Sequence, residues 1–99
     1  MKNAELKSYW DESKRKDWEN FVGLCKEEWI DSPEQIKLLE LLENNKDIAV
    51  VVNYQLGDSA INWIYRKIPA LGNRIPVNCL KSGKSKMSLR ETLLQMPSR

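Results

Sequence analysis

Residues 56–80 read LGDSAINWIYRKIPALGNRIPVNCL, and this stretch decides the fold. A Gly-Asp pair at 57–58 precedes a short apolar segment, and two prolines, Pro69 and Pro76, follow it closely. Because proline ends a helix and favours the first position of the next one, the stretch predicts two short helices separated by turns. Gly72 lies between the prolines and is expected to take a positive φ. Nothing in the stretch points to catalysis, so we interpret it as a small helical module that presents a surface.

The composition of the whole chain is that of one small globular domain. Its 99 residues are 41% hydrophobic and 30% charged, which allows a single modest core. No apolar run approaches the roughly 18 residues that a membrane span requires. The first residues, MKNAELKSYWDESK, contain no apolar signal-peptide core. We therefore predict a cytoplasmic protein that does not insert into a membrane.

The residue types needed for catalysis and metal binding are sparse. The chain has no histidine, which is the commonest general base and a common zinc ligand. Its two cysteines, Cys25 and Cys79, are far apart and lie in apolar patterns, which predicts reduced thiols in the core. The glycine patterns of phosphate-binding and dinucleotide-binding loops are absent. We therefore expect no enzyme activity, no metal and no cofactor.

Charge is distributed unevenly between the two halves of the chain. Residues 1–47 contain eight basic and twelve acidic residues, a net charge of −4, whereas residues 48–99 contain eight basic and two acidic residues, a net charge of +6. Either the halves face each other and partly neutralise, or the basic half binds an anionic partner. The sequence leaves both explanations open.

The N-terminal part, residues 3–30, has a helical pattern. One stripe has the spacing i, i+3, i+4, i+7, i+11 and consists of Trp18, Phe21, Val22, Cys25 and Trp29. Leu6, Tyr9 and Trp10 form an earlier and weaker stripe. The polar run 11–17 between the stripes is either a solvated part of one long helix or a join between two helices.

Two helices are predicted in the middle of the chain. Ser32, Pro33 and Gln35 have the spacing of an N-cap, a first helical proline and a capping box for a helix over 33–44. The next apolar run, 48–52, is rich in β-branched residues and favours a strand by propensity. A single buried strand would leave its backbone groups unpaired, so we predict a helix over 47–56 that is capped by Asp47.

The C-terminal part is expected to contain a helix that ends at Pro69, a short helix that begins at Pro76, a basic loop over 81–86 and a last helix over 86–96. The prediction is an all-α fold, a small bundle of about five to six helices in a single domain with an N-terminal helical extension. Residues 1–46 form the acidic, Trp-rich extension and residues 47–99 form the module.

The order of motifs in the C-terminal half resembles that of a known family. The matching elements, within residues 48–97, are Gly57-Asp58, Trp63-Ile64, Pro69-Ala70-Leu71-Gly72, Pro76, Leu80 and the segment 89–96. In this order they resemble the toxin-binding domain of the Xre/MbcA/ParS antitoxin family. Two features depart from the family's pattern. The second glycine of its Gly-Gly pair is Asn73 here. The N-terminal half has no helix-turn-helix pattern, so the sequence of that half does not support promoter binding.

The resemblance implies a bacterial type II antitoxin without catalytic activity. Such a protein binds a cognate RES-type toxin, which consumes NAD, and inhibits it by covering its active site. The residues expected to contact the toxin are Arg74, Lys84, Arg90, Gln95 and Met96. The residues expected to shape the module are Trp63 as its core anchor, with Pro69, Leu71, Gly72, Pro76 and Leu80.

Two other functions remain open at this point. The basic loop 81–86, together with Arg90, could neutralise phosphates, which would make the chain a transcriptional regulator that binds nucleic acid such as promoter DNA. Alternatively, exposed Trp10 and Trp18 could form the interface of a homo-oligomeric helical adaptor. The basic loop could also be an ordinary solvated surface.

Overall fold

Helices form the described part of the chain, residues 12–96 of a computed structural model. The α-helices are α1 (Glu12–Cys25), α2 (Pro33–Leu41), α3 (Lys46–Leu56), α4 (Ala60–Ile64) and α5 (Gly83–Gln95). Short 3₁₀ helices occupy Lys26–Glu28, Gly57–Ser59, Pro69–Leu71 and Pro76–Lys81. Within residues 12–96 the only strand-like pairing is one antiparallel bridge between Ile68 and Arg74, so the predicted all-α fold is confirmed. None of the described helices combines the length and apolarity needed to cross a membrane.

Helix α3 lies at the centre of the fold and contacts α1, α2, α4 and α5. All five residues from Ile48 to Val52 are 0% exposed, so this helix is covered on every side. A helix satisfies its own backbone hydrogen bonds, which allows a β-branched run to be buried without a partner strand. The predicted helix is confirmed, but the predicted cap is wrong. Asn45 precedes the helix, and Asp47 lies in its first turn, where its carboxylate bonds to Trp18 and Arg90 instead.

Helix α1 packs one face on α3 through Trp18, Val22 and Cys25, which are all buried. Phe21 and Tyr54 add an edge-to-face aromatic contact, with ring centroids 6.1 Å apart. The polar run is helical from Glu12 onwards. The helix ends at Cys25 rather than reaching residue 30, because the chain tightens into a 3₁₀ turn and becomes extended at Trp29. The earlier stripe of Leu6, Tyr9 and Trp10 lies outside the described residues.

Helix α2 begins as predicted, with a complete capping box. The Ser32 hydroxyl accepts a hydrogen bond from the Gln35 backbone N–H at 3.2 Å, and the Gln35 Oε1 accepts from the Ser32 N–H at 3.2 Å. Gln35 also accepts from the Ile30 N–H at 2.8 Å and donates to the Glu28 carbonyl at 3.1 Å. Its side chain therefore joins the end of the preceding 3₁₀ turn to the start of α2.

The chain between α4 and α5 is shaped by its two prolines. Helix α4 ends at Ile64, so the predicted continuation to Pro69 is wrong. Ile68 is extended, with φ −106° and ψ 117°, because proline disfavours helical geometry in the residue before it. The positive φ predicted for Gly72 is confirmed at 67°, and Asn73 also takes a left-handed φ of 63°.

Helix α5 begins at Gly83, three residues earlier than predicted, so the expected basic loop is wrong over most of its length. Ser82 caps the start of α5, because its hydroxyl accepts a hydrogen bond from the Ser85 N–H at 3.1 Å. Lys84 and Lys86 are therefore helical residues. Leu89 and Leu93 are both 0% exposed and anchor α5 to the core.

One hydrophobic core includes side chains from both halves of the chain. The prediction of buried, reduced thiols is confirmed, because Cys25 and Cys79 are free and 0% and 1% exposed. Trp18 is only 4% exposed, so the adaptor interface that required an exposed Trp18 is contradicted. The division at residues 46 and 47 stays a prediction.

Candidate protein-binding surface

The Pro69–Arg74 turn is a rigid projection held against α5. Leu71 inserts into the core and is 2% exposed. The Ile68 N–H donates to the Arg74 carbonyl at 3.0 Å, and the Asn73 N–H donates to the Ile68 carbonyl at 3.0 Å. The Arg74 Nε donates to the Leu71 carbonyl at 2.7 Å, which fixes the plane of its guanidinium group. The turn is therefore closed by backbone bonds and by its own arginine.

Two shallow depressions lie between this turn and α5. One has a volume of about 320 Å³ and is lined by Ala70, Leu71, Gly72, Arg74, Ser88, Glu91, Thr92 and Gln95. The other has a volume of about 290 Å³ and is lined by Ala70, Thr92, Gln95 and Met96. We call their combined lining, from the turn and from residues 88–96, the turn–helix surface. Both depressions are shallow and open to solvent.

Three of the five predicted contact residues lie on the turn–helix surface. Arg74 and Gln95 are exposed and Met96 is half-buried, and all three line its depressions. Lys84 is exposed at the other end of α5, roughly 16 Å from Gln95 along the helix axis at 1.5 Å per residue. Arg90 points to a different side of the helix and binds Asp47. The structure therefore brings Arg74, Gln95 and Met96 together and separates them from Lys84 and Arg90.

The partner of Arg90 is a carboxylate at the junction of three helices. The Asp47 Oδ2 accepts hydrogen bonds from the Arg90 Nε and from the Trp18 Nε1, both at 2.9 Å. Burial alone would raise the pKa of Asp47, but the hydrogen bonds from Arg90 and Trp18, the charge of Arg90 and the Ile48 N–H lower it overall. Asp47 is therefore ionised and joins α3 to α1 and α5.

Gln55 supports the C-terminal end of α5 from beneath. This residue is 6% exposed, and its Nε2 donates to the Leu93 carbonyl at 3.1 Å and to the Met96 carbonyl at 3.4 Å. The last carbonyls of a helix have no partner within the helix, so a side-chain donor there stabilises its end. Gln55 thereby sets the position of Met96 on the turn–helix surface.

The charge on the turn–helix surface is mixed. Arg74 supplies a cation, and Glu91 supplies the only carboxylate of the sequence after Asp58. Glu91 also forms an ion pair with Lys14 of α1. Both this pair and the pair between Asp47 and Arg90 join the two halves of the chain. The Asp47–Arg90 pair combines an anion of the acidic half with a cation of the basic half, so it neutralises part of the charge asymmetry within the molecule.

Ala70, Ser88, Glu91 and Thr92 belong to this surface but were not predicted. Ser88 and Thr92 precede Gln95 by seven and three residues, which is the spacing of one helix face. That spacing, counted back from Gln95, was a signal that could have identified them. Ala70 gave no signal, because its position depends on how the turn packs against α5.

The predicted structural residues are placed as follows. Leu71, Pro76 and Leu80 are buried, and Pro69 and Gly72 are exposed within the turn. Trp63 packs against the core but is only partly buried. Among the tryptophans that the structure describes, Trp18 is the one that lies within the core.

The described residues contain no group of three His, Cys, Asp or Glu side chains placed to hold a metal ion. Comparison with known proteins finds no matching family model, no matching curated protein and no matching solved structure.

Proposed function

We propose that this chain is an inhibitory binding protein, the antitoxin of a type II toxin–antitoxin system, whose partner is a RES-type toxin that consumes NAD. The order of motifs from Gly57 to Leu80 supports this function through its resemblance to the toxin-binding domain of the Xre/MbcA/ParS antitoxins. The protein acts in the cytoplasm, by binding and without catalysis.

The turn–helix surface is the observation that carries the proposal. One exposed surface brings together Arg74 of the turn with Gln95 and Met96 at the end of α5. These residues are about twenty positions apart in sequence. A rigid turn loses little conformational entropy when it binds, so more of the contact energy contributes to affinity. Such a projection suits insertion at the mouth of an enzyme cleft.

The predicted contact residues differ in how they contribute to binding. Met96 supplies an apolar contact, which contributes to affinity when the toxin covers it and removes it from water. Arg74 supplies a guanidinium group that pairs with carboxylates at the rim of the toxin cleft. Lys84 lies outside the contact and attracts an acidic toxin at longer range, which raises the association rate. Arg90 does not contact the toxin, because it already forms an ion pair with Asp47.

A capture and co-expression experiment tests this function. The tagged chain is used to isolate partners from its native lysate, and a stoichiometric partner is then expressed alone and with the chain while cellular NAD is measured. The expected result is NAD depletion by the partner alone and protection by the chain. A partner that does not lower NAD, or no stoichiometric partner, contradicts the proposal.

A matched pair of variants tests the surface. Gln95→Trp places a bulky side chain on the turn–helix surface and is expected to weaken toxin binding about tenfold or more, the equivalent of about 1.4 kcal/mol. Asn20→Trp makes a similar change at an exposed amide of α1 and is expected to leave binding unchanged. Equal affinities for both variants, measured by calorimetry, would place the contact elsewhere.

A further inference from the structure

The chain contains a long basic stretch without any acidic residue. Residues 59–90 include no Asp or Glu, and their basic residues are Arg66, Lys67, Arg74, Lys81, Lys84, Lys86 and Arg90. Arg90 is the member of this set that forms an ion pair within residues 13–96. The other six therefore have no carboxylate partner in the described part of the chain, and they leave an excess of positive charge on this side of the molecule.

Two of these cations line one cleft. The cleft has a volume of about 240 Å³ and is lined by Lys67, Asn73, Arg74, Ile75, Asn78, Cys79 and Ser85. It is separate from the turn–helix surface, since it shares only Arg74 with the depressions of that surface. Its polar lining consists of two cations, two amides and a hydroxyl, with no carboxylate.

The walls of this cleft are held in place by local hydrogen bonds. The Ile68–Arg74 bridge holds the residue after Lys67 against Arg74. The Arg74 Nε bond to the Leu71 carbonyl orients the guanidinium, which leaves its two terminal nitrogens available to a bound group. The Ser85 hydroxyl donates to the Cys79 carbonyl at 2.9 Å, which fixes the first turn of α5 against the cleft.

From this arrangement we propose that the cleft between Lys67, Arg74 and Asn78 binds a phosphate group. An ammonium, a guanidinium and neutral amides are the donors that bind phosphate oxygens, and no carboxylate opposes them. The phosphate belongs either to a nucleic-acid backbone or to a free phosphorylated molecule. The cleft shares Arg74 with the turn–helix surface, but phosphate binding is tested on the chain alone, so its failure is distinguishable from a failure of the proposed toxin binding.

The test is a titration of the ¹⁵N-labelled full chain with inorganic phosphate, followed by NMR at constant ionic strength with chloride as the reference anion. The expected result is a saturable shift of the amide signals of Asn73, Arg74, Asn78 and Ser85. Lys67→Gln removes one exposed cation from the cleft and is expected to weaken binding about threefold to tenfold. Lys37→Gln makes the same change at an exposed position of α2 and is expected to leave binding unchanged.

A second variant and two further probes complete the test. Asn78→Ala removes an exposed amide of the cleft without changing the charge, and is also expected to weaken phosphate binding. A short duplex DNA and pyrophosphate are then compared. Tighter DNA binding that falls steeply with salt assigns the phosphate to a nucleic-acid backbone, and tighter pyrophosphate binding assigns it to a free molecule. Shifts no larger than those with chloride, or phosphate affinity unchanged in both Lys67→Gln and Asn78→Ala, overturn the proposal.

Discussion

Gly72 and Asn73 are consecutive residues in the left-handed region, with φ values of 67° and 63°. Glycine adopts this region without penalty, and asparagine does so more readily than most other residues. Both residues can therefore hold this left-handed turn. Position 72 favours glycine because of its positive φ and not because space is limited, since a Cβ atom added to Gly72 would meet no atom within 4 Å.

The substitution Gly72→Ala is expected to lower the free energy of unfolding by about 1–2 kcal/mol, because alanine disfavours a positive φ even where there is space for its methyl group. Gly23→Ala is the matched control. Gly23 lies inside α1 with open space around it, so the same change is expected to stabilise the chain by about 0.5–1 kcal/mol. Urea unfolding measures both, and effects of the same sign would contradict the argument.

The role of Asp47 in the structure differs from the role that the sequence predicts for it. The sequence predicts it as the cap of α3, yet its carboxylate accepts hydrogen bonds from Trp18 and Arg90 of other helices. Because the pKa of Asp47 is lowered in the folded chain, its bonds stabilise the fold above its unfolded pKa, near 3.8. That stabilisation is lost as the pH falls through the folded pKa.

The variant Asp47→Asn is accordingly expected to lose about 1–2 kcal/mol of stability at pH 7, because the carboxylate charge that attracts Arg90 and strengthens both hydrogen bonds is removed. The difference from the unmodified chain should shrink as the pH falls below about 4. Urea unfolding at several pH values measures this, with Asp17→Asn on the exposed face of α1 as the control. A difference that stays constant down to pH 2 would show that the charge of Asp47 does not stabilise the fold.

At the scale of elements, the join between the 3₁₀ turn at 26–28 and α2 depends on one buried amide. Gln35 is 8% exposed and forms three hydrogen bonds to backbone groups of Glu28, Ile30 and Ser32. Each of these groups would otherwise face a partly buried environment without a partner. The Ser32 hydroxyl satisfies a single N–H in the same motif.

Gln35→Ala is expected to cost about 2 kcal/mol of unfolding free energy, and Ser32→Ala about 1 kcal/mol, because they remove three hydrogen bonds and one. The amide hydrogens of Ile30 and Ser32 should also exchange faster in Gln35→Ala. Gln95→Ala, at an exposed position, serves as the control and should change stability by less than about 0.5 kcal/mol. If Ser32→Ala were the more destabilising change, Gln35 would not be the residue that joins the two elements.

At the scale of the whole molecule, α3 is surrounded by helices from both halves of the chain. Its residues Ile48–Val52 are 0% exposed in the presence of α1 and α2. Removing those helices would expose α3 and also remove the core side chains of Trp18, Val22, Leu38 and Leu42. A chain of this length buries too little apolar surface to lose that share of its core.

The fragment 46–99 is therefore expected to lack a cooperative unfolding transition, measured by circular dichroism during heating. Adding the peptide 1–45 is the control, and it should restore helical signal and cooperativity. A fragment that unfolds cooperatively by itself would support the division of the chain at residues 46 and 47 into an extension and an independent module.

The sequence by itself determined the features that depend on near neighbours. The capping box of Ser32 and Gln35 and the positive φ of Gly72 both follow from bonds or steric limits within a few residues. The helical state of α3 was also predictable, although only from the absence of a partner strand elsewhere in the sequence. Resemblance to a family supplied the hypothesis about function, which the fold alone does not provide.

Only the tertiary structure decided which distant residues share a site. The sequence predicted Arg90 and Arg74 equally as contact residues. In the structure Arg90 forms an ion pair with Asp47, which is 43 positions away in sequence. Arg74, Gln95 and Met96 meet because the Pro69–Arg74 turn packs against the C-terminal half of α5. The physical reason is that such contacts depend on how helices pack, and packing involves the shapes of side chains from the whole core.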